Sequence, residues 1–459
     1  MNDIVRRYAR LQVPRYTSYP TAAEFAPAVA SADQRRWLRE LDTTEAVSVY
    51  LHVPYCRELC LYCGCNTKKA MRDDVIASYR VALEREIAQV SDTLSGPARI
   101  ARLHWGGGTP SILGVDGLAS VMQVLRSYFA FEDGFEHAIE LDPRYVTSLL
   151  AESLKELGVN RTSLGVQDVN PLVQAAIGRW QPMQDVEAAV LRLRAAGIGS
   201  LNFDLIYGLP LQTIASLRKT CEIVAMLSPD RIACYGYAHM PRLKANQRRI
   251  DESTLPGVED RIDQAEAIAE EFQRSGFLKI GIDHFARPDD ALARAAMSGQ
   301  LHRNFQGYTD DGRETLIGFG ASSISRFSDG YVQNISDVPS LGDQPERFPM
   351  TDASAQMGKF SRASALVGWV KIVIARFSHA NELRGINRAE FEQIARDLDL
   401  PPPELYRLLT GCRVSPDALE ERLAAEFEAS PQLAKRLRAI KRKHRAARMR
   451  LSVPIAPCC

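Results

Sequence analysis

Three cysteines of this 459-residue chain, Cys56, Cys60 and Cys63, stand in a C-x3-C-x2-C spacing within the run HVPYCRELCLYCGCN. One short loop therefore presents three thiolates. A cubane iron-sulfur cluster has four irons, so with Cys65 left out a [4Fe-4S] cluster would keep one iron open to a substrate or cofactor. Structural zinc is the competing chemistry. It asks for four tetrahedral ligands, usually a pair of Cys two residues apart with a second pair well downstream. Residues 66–220 contain no Cys. Cys65 could supply a fourth zinc ligand, but the x3, x2, x1 progression crowds all four into one loop. The spacing favours iron and sulfide, and Tyr62 just before the third Cys agrees with it.

Between residues 46 and 236, short β-branched runs alternate with helical patterns, the signature of βα units around a parallel sheet. Six strands are expected, at 46–53, 101–105, 137–141, 159–164, 201–206 and 231–235. Between them lie segments such as 75–90 (VIASYRVALEREIAQV), whose apolar residues recur every three or four positions as a sheet-covering helix requires. The six runs end in YCRELCLYCGC, GGGTPS, the stretch from Glu140 to Asp142, GVQD, DLIYGLP and YAH. Ligands of parallel βα folds sit at the carboxyl ends of strands. Glycines and aspartates are also ordinary turn residues, but six such ends in succession imply one shared site.

Composition is that of a globular protein, 46% hydrophobic and 25% charged, with a formal net charge of +1. No whole-molecule field exists to draw in nucleic acid or an anionic membrane, so neither is an expected partner. The N-terminus lacks the apolar core of a secretory signal. The longest apolar stretch, 363–377, is interrupted by Lys371 and too short to span a bilayer. A cytoplasmic location is expected, where thiols bind metal or do chemistry more often than they form disulfides. Cys221, Cys234 and Cys412 are isolated and read as small buried hydrophobes. Farther on, an amphipathic helix is expected at 260–276 and a strand and turn at IGIDHFARPDD. Residues 435–450 hold nine Lys or Arg and no acid, the pattern of a solvated tail.

With its extra Cys65 in GCN, the cysteine loop resembles that of the oxygen-independent coproporphyrinogen III oxidases (coproporphyrinogen dehydrogenases), members of the radical S-adenosylmethionine (SAM) superfamily. PRYTSYPTA at 14–22, LHWGGGTP, RTSLGVQD, DLIYGLP, YAHMP, DHFARPDD and LHRNFQGYT resemble the same family, and together they cover about residues 13–334. The resemblance implies an α/β fold, a partial (β/α)6 radical SAM barrel of parallel strands, with an N-terminal substrate-contacting arm at 1–45 and the catalytic domain at 46–334. A linker at 335–357 and an atypical helical region with the basic tail at 358–459 complete the expected organisation. The resemblance weakens after residue 334.

By motif matching, the family's SAM-contacting positions fall on Tyr50, Tyr62, Gly107, Gly108, Thr109, Glu140, Gln167, Arg179, Asp204, Ala238 and Ile324, with Cys56, Cys60 and Cys63 as cluster ligands. Two SAM molecules are expected. Asp204 lies in an apolar run, where an unpaired carboxylate is costly, so a ligand donor or cation is expected beside it. Arg179 is expected on a helix, its planar fork offered to a carboxylate. The implied reaction removes a hydrogen atom from the β-carbon of a propionate, with loss of CO2 and an electron, twice per substrate. Coproporphyrinogen III becomes protoporphyrinogen IX in haem biosynthesis. Its four carboxylates call for cations, and Arg15, Arg287, Arg303 and His284 are candidates. An electron donor of unidentified nature is a required partner, and a monomer is expected. A haem-trafficking relative lacking the oxidase reaction and a non-enzymatic zinc-binding protein are the alternatives.

Overall fold

A computed structural model describes residues 31–336. The PRYTSYPTA motif, Arg15, the helical region and the basic tail lie outside the described residues, as does most of the linker. Strand β1 (Val47–Val53) is followed by β2 (Tyr55–Cys56) and β3 (Lys68–Lys69), a parallel pair that pins both ends of the cysteine loop. Next come β4 (Arg99–Gly107), β5 (Ala130–Leu141), β6 (Arg161–Gln167), β7 (Ser200–Tyr207) and β8 (Arg231–Gly236), each parallel to its neighbour. The six expected strands are these, with β1. Antiparallel β9 (Leu278–Ile280) and β10 (His284–Ala286) continue the sheet beyond β8. β11 (His302–Asn304) and β12 (Gly307–Thr309) form a separate hairpin.

On the other side, β13 (Leu316–Phe319) returns parallel to β1 and carries antiparallel β14 (Ile324–Arg326) and β15 (Tyr331–Gln333). Among the described residues the main sheet thus has eleven strands. β13 is a seventh parallel strand beyond the six expected. Its four residues, LIGF, are too short a run to reveal a period.

The helices are α1 (Ser31–Arg39), α2 (Asp73–Thr93), α3 (Gly114–Tyr128), α4 (Ser148–Glu156), α5 (Pro171–Ala176), α6 (Met183–Ala195), α7 (Ile214–Met226), α8 (Val258–Arg274) and α9 (Ala291–Met297). α2 buries Ile76, Tyr79, Leu83, Ile87 and Val90, the three-and-four spacing read from sequence. α7 begins at a capping box in which Thr213 and Ser216 each satisfy the other's backbone N–H. The outer face of the sheet buries Leu51, Leu103, Trp105, Leu164 and Phe203 against these helices. Each such Leu or Phe contributes about 1.5–3 kcal/mol.

Because strand side chains alternate, the opposite residues point into the barrel, and on β6 and β7 buried and half-buried positions alternate strictly until the last residue of β7. Most of those inward residues are polar. At the starts of the strands they form an ionic floor. Arg102 meets Glu136 at 2.9 Å and Asp310 at 2.5 Å, Arg161 meets Glu136 at 3.1 Å, and Arg231 meets Asp290 at 2.6 Å and Asp310 at 3.2 Å. The DHFARPDD and YTDD segments supply Asp290 and Asp310, so these motifs help close the barrel from below, while Glu136 comes from β5 itself.

Candidate cluster and SAM site

Above the floor, the strands open onto the cysteine loop. Cys60 is buried, Cys56 and Cys63 are half-buried, Cys65 is exposed, and all four are free thiols. Each of the first three sulfurs has its own polar neighbour. The Thr109 hydroxyl donates to Cys56 Sγ at 3.4 Å, Arg179 Nη1 to Cys60 Sγ at 3.5 Å, and Thr67 Oγ1 lies 3.5 Å from Cys63 Sγ. The loop carbonyls are already engaged, since the Asn246 amide donates to Cys60 and Cys63 oxygens at 3.0 Å and Gln247 to the Tyr62 oxygen at 2.8 Å. The sulfurs are what remains to bind a metal group. Burial pushes the Cys56 thiol up to about 11, and a hydrogen bond from Cys65 lowers that of Cys63.

No three His, Cys, Asp or Glu among the described residues converge tightly enough for one ion. A cubane instead spreads its thiolates over separate corners, so the loop fits a cluster better than structural zinc. Cys65 is hydrogen-bonded to Cys63.

Two glycines make room beside the loop. Gly108 N donates to the Val53 oxygen at 2.7 Å, and a Cβ there would lie 2.5 Å from the Tyr55 carbonyl oxygen. Gly107 has φ +110°, a region that side chains rarely adopt, and a Cβ would strike the His52 ring at 2.7 Å. Gly107 N donates to Glu140 Oε2 at 3.1 Å, and His104 Nε2 donates to Oε1 at the same distance. The carboxylate is held at the end of β5 by partners on the neighbouring strand. His52 Nε2 donates to the Asn66 carbonyl at 3.1 Å, which leaves Nδ1 to accept from the Tyr50 hydroxyl at 3.2 Å. Burial lowers the His52 pKa, keeping that neutral tautomer.

The remaining expected positions gather around the same mouth. Gln247 Nε2 donates to both Tyr62 and Ala238 carbonyls, the latter at 3.2 Å, tying two of them together. Gln167 ends β6 at φ 65°, a non-glycine backbone strain of about 1–3 kcal/mol that points to function. Ile324 backs onto Gly318, which pairs with Tyr50 across β1 and β13.

Three expectations need correction. Arg179 is not helical, because α5 stops at Ala176 and Gly178 turns the chain at φ +64°. Its fork is already occupied, by Asp142 Oδ2 at 3.2 Å and the Gly165 oxygen at 2.8 Å. Asp204 has protein partners, Ser163 Oγ at 2.6 Å and Asn202 Nδ2 at 3.1 Å, and burial pushes its carboxyl up to about 6. Arg287 lies at the floor end, because β10 runs antiparallel to β8. Its N–H donates to the Asp230 oxygen at 2.9 Å and its guanidinium stacks 4.5 Å from Phe277.

His284 and Asp204 both line the lumen cavity of about 170 Å³, with Glu140, His104, Ser163 and Tyr235. Arg303 stacks 4.5 Å over Tyr308 and pairs with Asp283 at 3.6 Å. Sequence reasoning missed His52, His104, Asn246 and Gln247. The first two sit two residues from singled-out positions on strands, Tyr50 and Gly106 with its GGG run, and the strand period could have found them. Nothing in the sequence marked Asn246 or Gln247.

The chain matches the family model described as the radical SAM superfamily over residues 50–224. It is 48% identical over 332 residues to the oxygen-independent coproporphyrinogen III oxidase of Bradyrhizobium diazoefficiens, covering 72% of this chain and 74% of that one. The Paracoccus denitrificans enzyme of the same name is 40% identical over 404 residues, 87% of this chain and 86% of that one. That alignment is long enough to continue past residue 334. The solved structure of coproporphyrinogen III oxidase from Escherichia coli superposes with a TM-score of 0.75 at 31% identity, covering 95% of this chain and 98% of that one. No helix among the described residues is long and apolar enough to cross a membrane. With its cysteine loop at the mouth of a parallel barrel, as the matched radical SAM domain requires, the chain belongs to the oxygen-independent coproporphyrinogen III oxidase family.

Proposed function

We propose that this protein converts two propionate side chains of coproporphyrinogen III to vinyls without oxygen, giving protoporphyrinogen IX in haem biosynthesis. The observation that carries the reading is a three-thiol loop whose backbone is fixed by Asn246 and Gln247, beside a glycine shelf at Gly107 and Gly108. When bound, the [4Fe-4S] cluster and SAM supply the electron and the hydrogen-atom acceptor.

Cys56, Cys60 and Cys63 would hold the cluster. Arg179 keeps a positive charge against the Cys60 sulfur, and Thr109 donates to Cys56. The glycines admit SAM to close backbone approach, and Glu140 offers a carboxylate to its amine or ribose. Tyr50, Tyr62, Gln167, Asp204, Ala238 and Ile324 complete the wall, and a second SAM would sit beside the first. The ionic floor seals the site from below, which keeps water from a reactive centre. His284 and Arg303 stand near enough to the lumen to meet substrate carboxylates. One chain supplies all these residues, so the protein works as a monomer, in the cytoplasm where its thiols stay reduced.

The test is anaerobic reconstitution with iron and sulfide, then addition of reductant, SAM and coproporphyrinogen III. Deoxyadenosine and a doubly decarboxylated product are expected together. Deoxyadenosine without vinyl product would assign the chain to a non-oxidase radical SAM role, and zinc retention without iron would remove the radical chemistry.

A further inference from the structure

The loop that covers the cysteine loop is basic. Residues 240–250 (MPRLKANQRRI) carry four Lys or Arg and no acid, and residues 59–72 carry three, of which Arg72 pairs with Asp74 just beyond the stretch. The two are stitched together, since Lys244 Nζ donates to the Cys65 carbonyl at 2.9 Å and Asn246 spans three carbonyls of the cysteine loop. Lys69, Arg242, Arg248 and Arg249 are exposed, and among the described residues no carboxylate stands within ion-pair distance of any of them. Some exposed arginines elsewhere find acids, as Arg36 and Arg274 show. Two exposed apolar side chains belong to the same stretches, Leu243 at 79% and Met71 at 68% exposure.

A cationic rim around exposed apolar groups has the composition of a protein interface. The rim steers an acidic partner, and the apolar groups lose water on contact. A single-stranded nucleic acid would call for exposed aromatic rings to stack on. The only aromatic residue of the two stretches is Tyr62, half-buried against the second apolar cluster. The surface also lies one loop's thickness from the three sulfurs, and the proposed reaction requires an electron from outside.

We propose that this basic cap is the docking surface for an acidic one-electron carrier protein that reduces the cluster. The inference rests on the function proposed above. One electron leaves the reduced carrier and one enters the cluster, with no bond made or broken in the transfer.

The test compares the full chain with R242E/R249E, using a reduced acidic flavodoxin as the probe carrier. Flavodoxin affinity, read by titrating flavin fluorescence, is expected to weaken about tenfold or more for two reversed rim charges, with the gap closing as salt rises. Cluster absorption and dithionite-driven deoxyadenosine formation are expected to stay unchanged. Equal flavodoxin affinity in the two proteins would overturn the docking assignment. So would a variant that loses only affinity for single-stranded RNA, or one whose dithionite-driven rate falls with the flavodoxin-driven rate. If neither protein makes deoxyadenosine from dithionite, the proposed function fails, and the affinity comparison still decides the docking.

Discussion

At the floor of the barrel Arg102, Arg161 and Arg231 meet Glu136, Asp290 and Asp310, and every one of those acids touches two arginines. Two turns of the strand alternation higher, at the mouth, the polar groups are thiols, glycine N–H groups, two histidines, the Arg179–Asp142 pair, and the carboxylates of Glu140 and Asp204, which have no arginine beside them among the described residues. Strands β4 to β7 contribute inward residues to both layers, while loops supply Asp290 and Asp310 below and the thiols above. The difference shows in the acids. Burial raises Asp310, but the Arg102 hydrogen bond and the Arg231 and Arg102 charges outweigh it and hold the carboxyl at about 2. Asp204, whose hydrogen-bond partners are neutral, is pushed up to about 6 by burial. A charge matched by the protein belongs to the structure, whereas a charge left with neutral partners is ready for a ligand.

The largest expected effect breaks the mouth alone. Cys63→Ala should abolish the cluster's visible absorption after reconstitution while leaving the urea midpoint nearly unchanged, because the half-buried thiol adds little to the core. A parallel collapse of stability would mean that the loop is structural. Next comes Asp310→Asn, which leaves Arg102 and Arg231 short of one carboxylate. It should cost about 3 kcal/mol, the low end for removing one partner of a buried pair, since Glu136 and Asp290 remain. Urea unfolding measures this, and cluster content per folded chain should not change. The contribution of Asp310 is present above its unfolded pKa near 3.8 and is lost as pH falls through about 2.

A pH effect of the opposite sign comes from Glu86 on α2. Its carboxylate accepts from Gly320 N at 2.8 Å and Asn334 Nδ2 at 2.5 Å, with no cation beside it among the described residues, and burial pushes it from 4.5 up to about 7. Its contribution is full below pH 4.5 and is lost as pH rises through about 7, by up to about 3 kcal/mol. Urea midpoints between pH 5 and 8 should fall with pH in the unaltered protein and flatten in Glu86→Gln. The smallest effect is a control on charge itself. Arg274 also touches two acids, Glu270 and Glu271, but its side chain is 60% exposed. Arg274→Ala should shift stability by no more than about 0.5 kcal/mol, and a shift as large as that of Asp310→Asn would erase the distinction between floor and surface.

The strands of the barrel were legible because a buried parallel strand is a compact apolar run with a turn after it, and the cysteine loop because metal spacing is local. The floor was not legible. Arg102 and Asp310 are separated by 208 positions, and nothing local marks two residues that meet only after the sheet closes. Arg287 was misplaced for the related reason that a strand's direction is not written in its residues, so HFA could not announce that it runs against β8. The helical reading of Arg179 failed on one glycine, since Gly178 at φ +64° ends α5 early and swings the arginine back onto Cys60. Asp204 was read correctly as a carboxylate in an apolar run. Its partners Ser163 and Asn202 lie on the same inward face, which period-two alternation exposes only when neighbouring strands are read together.

The claim beneath all of this is that three thiolates at the mouth leave one iron free for SAM, with Cys65 off the metal. The reduced, reconstituted protein can be examined by pulsed electron paramagnetic resonance with SAM carrying 15N in its amino group and 17O in its carboxylate. Coupling of both nuclei to the cluster is the predicted result, retained in Cys65→Ala. A cluster that shows no coupling in the unaltered protein, but gains it when Cys65 is replaced, would contradict the account by making Cys65 the fourth ligand.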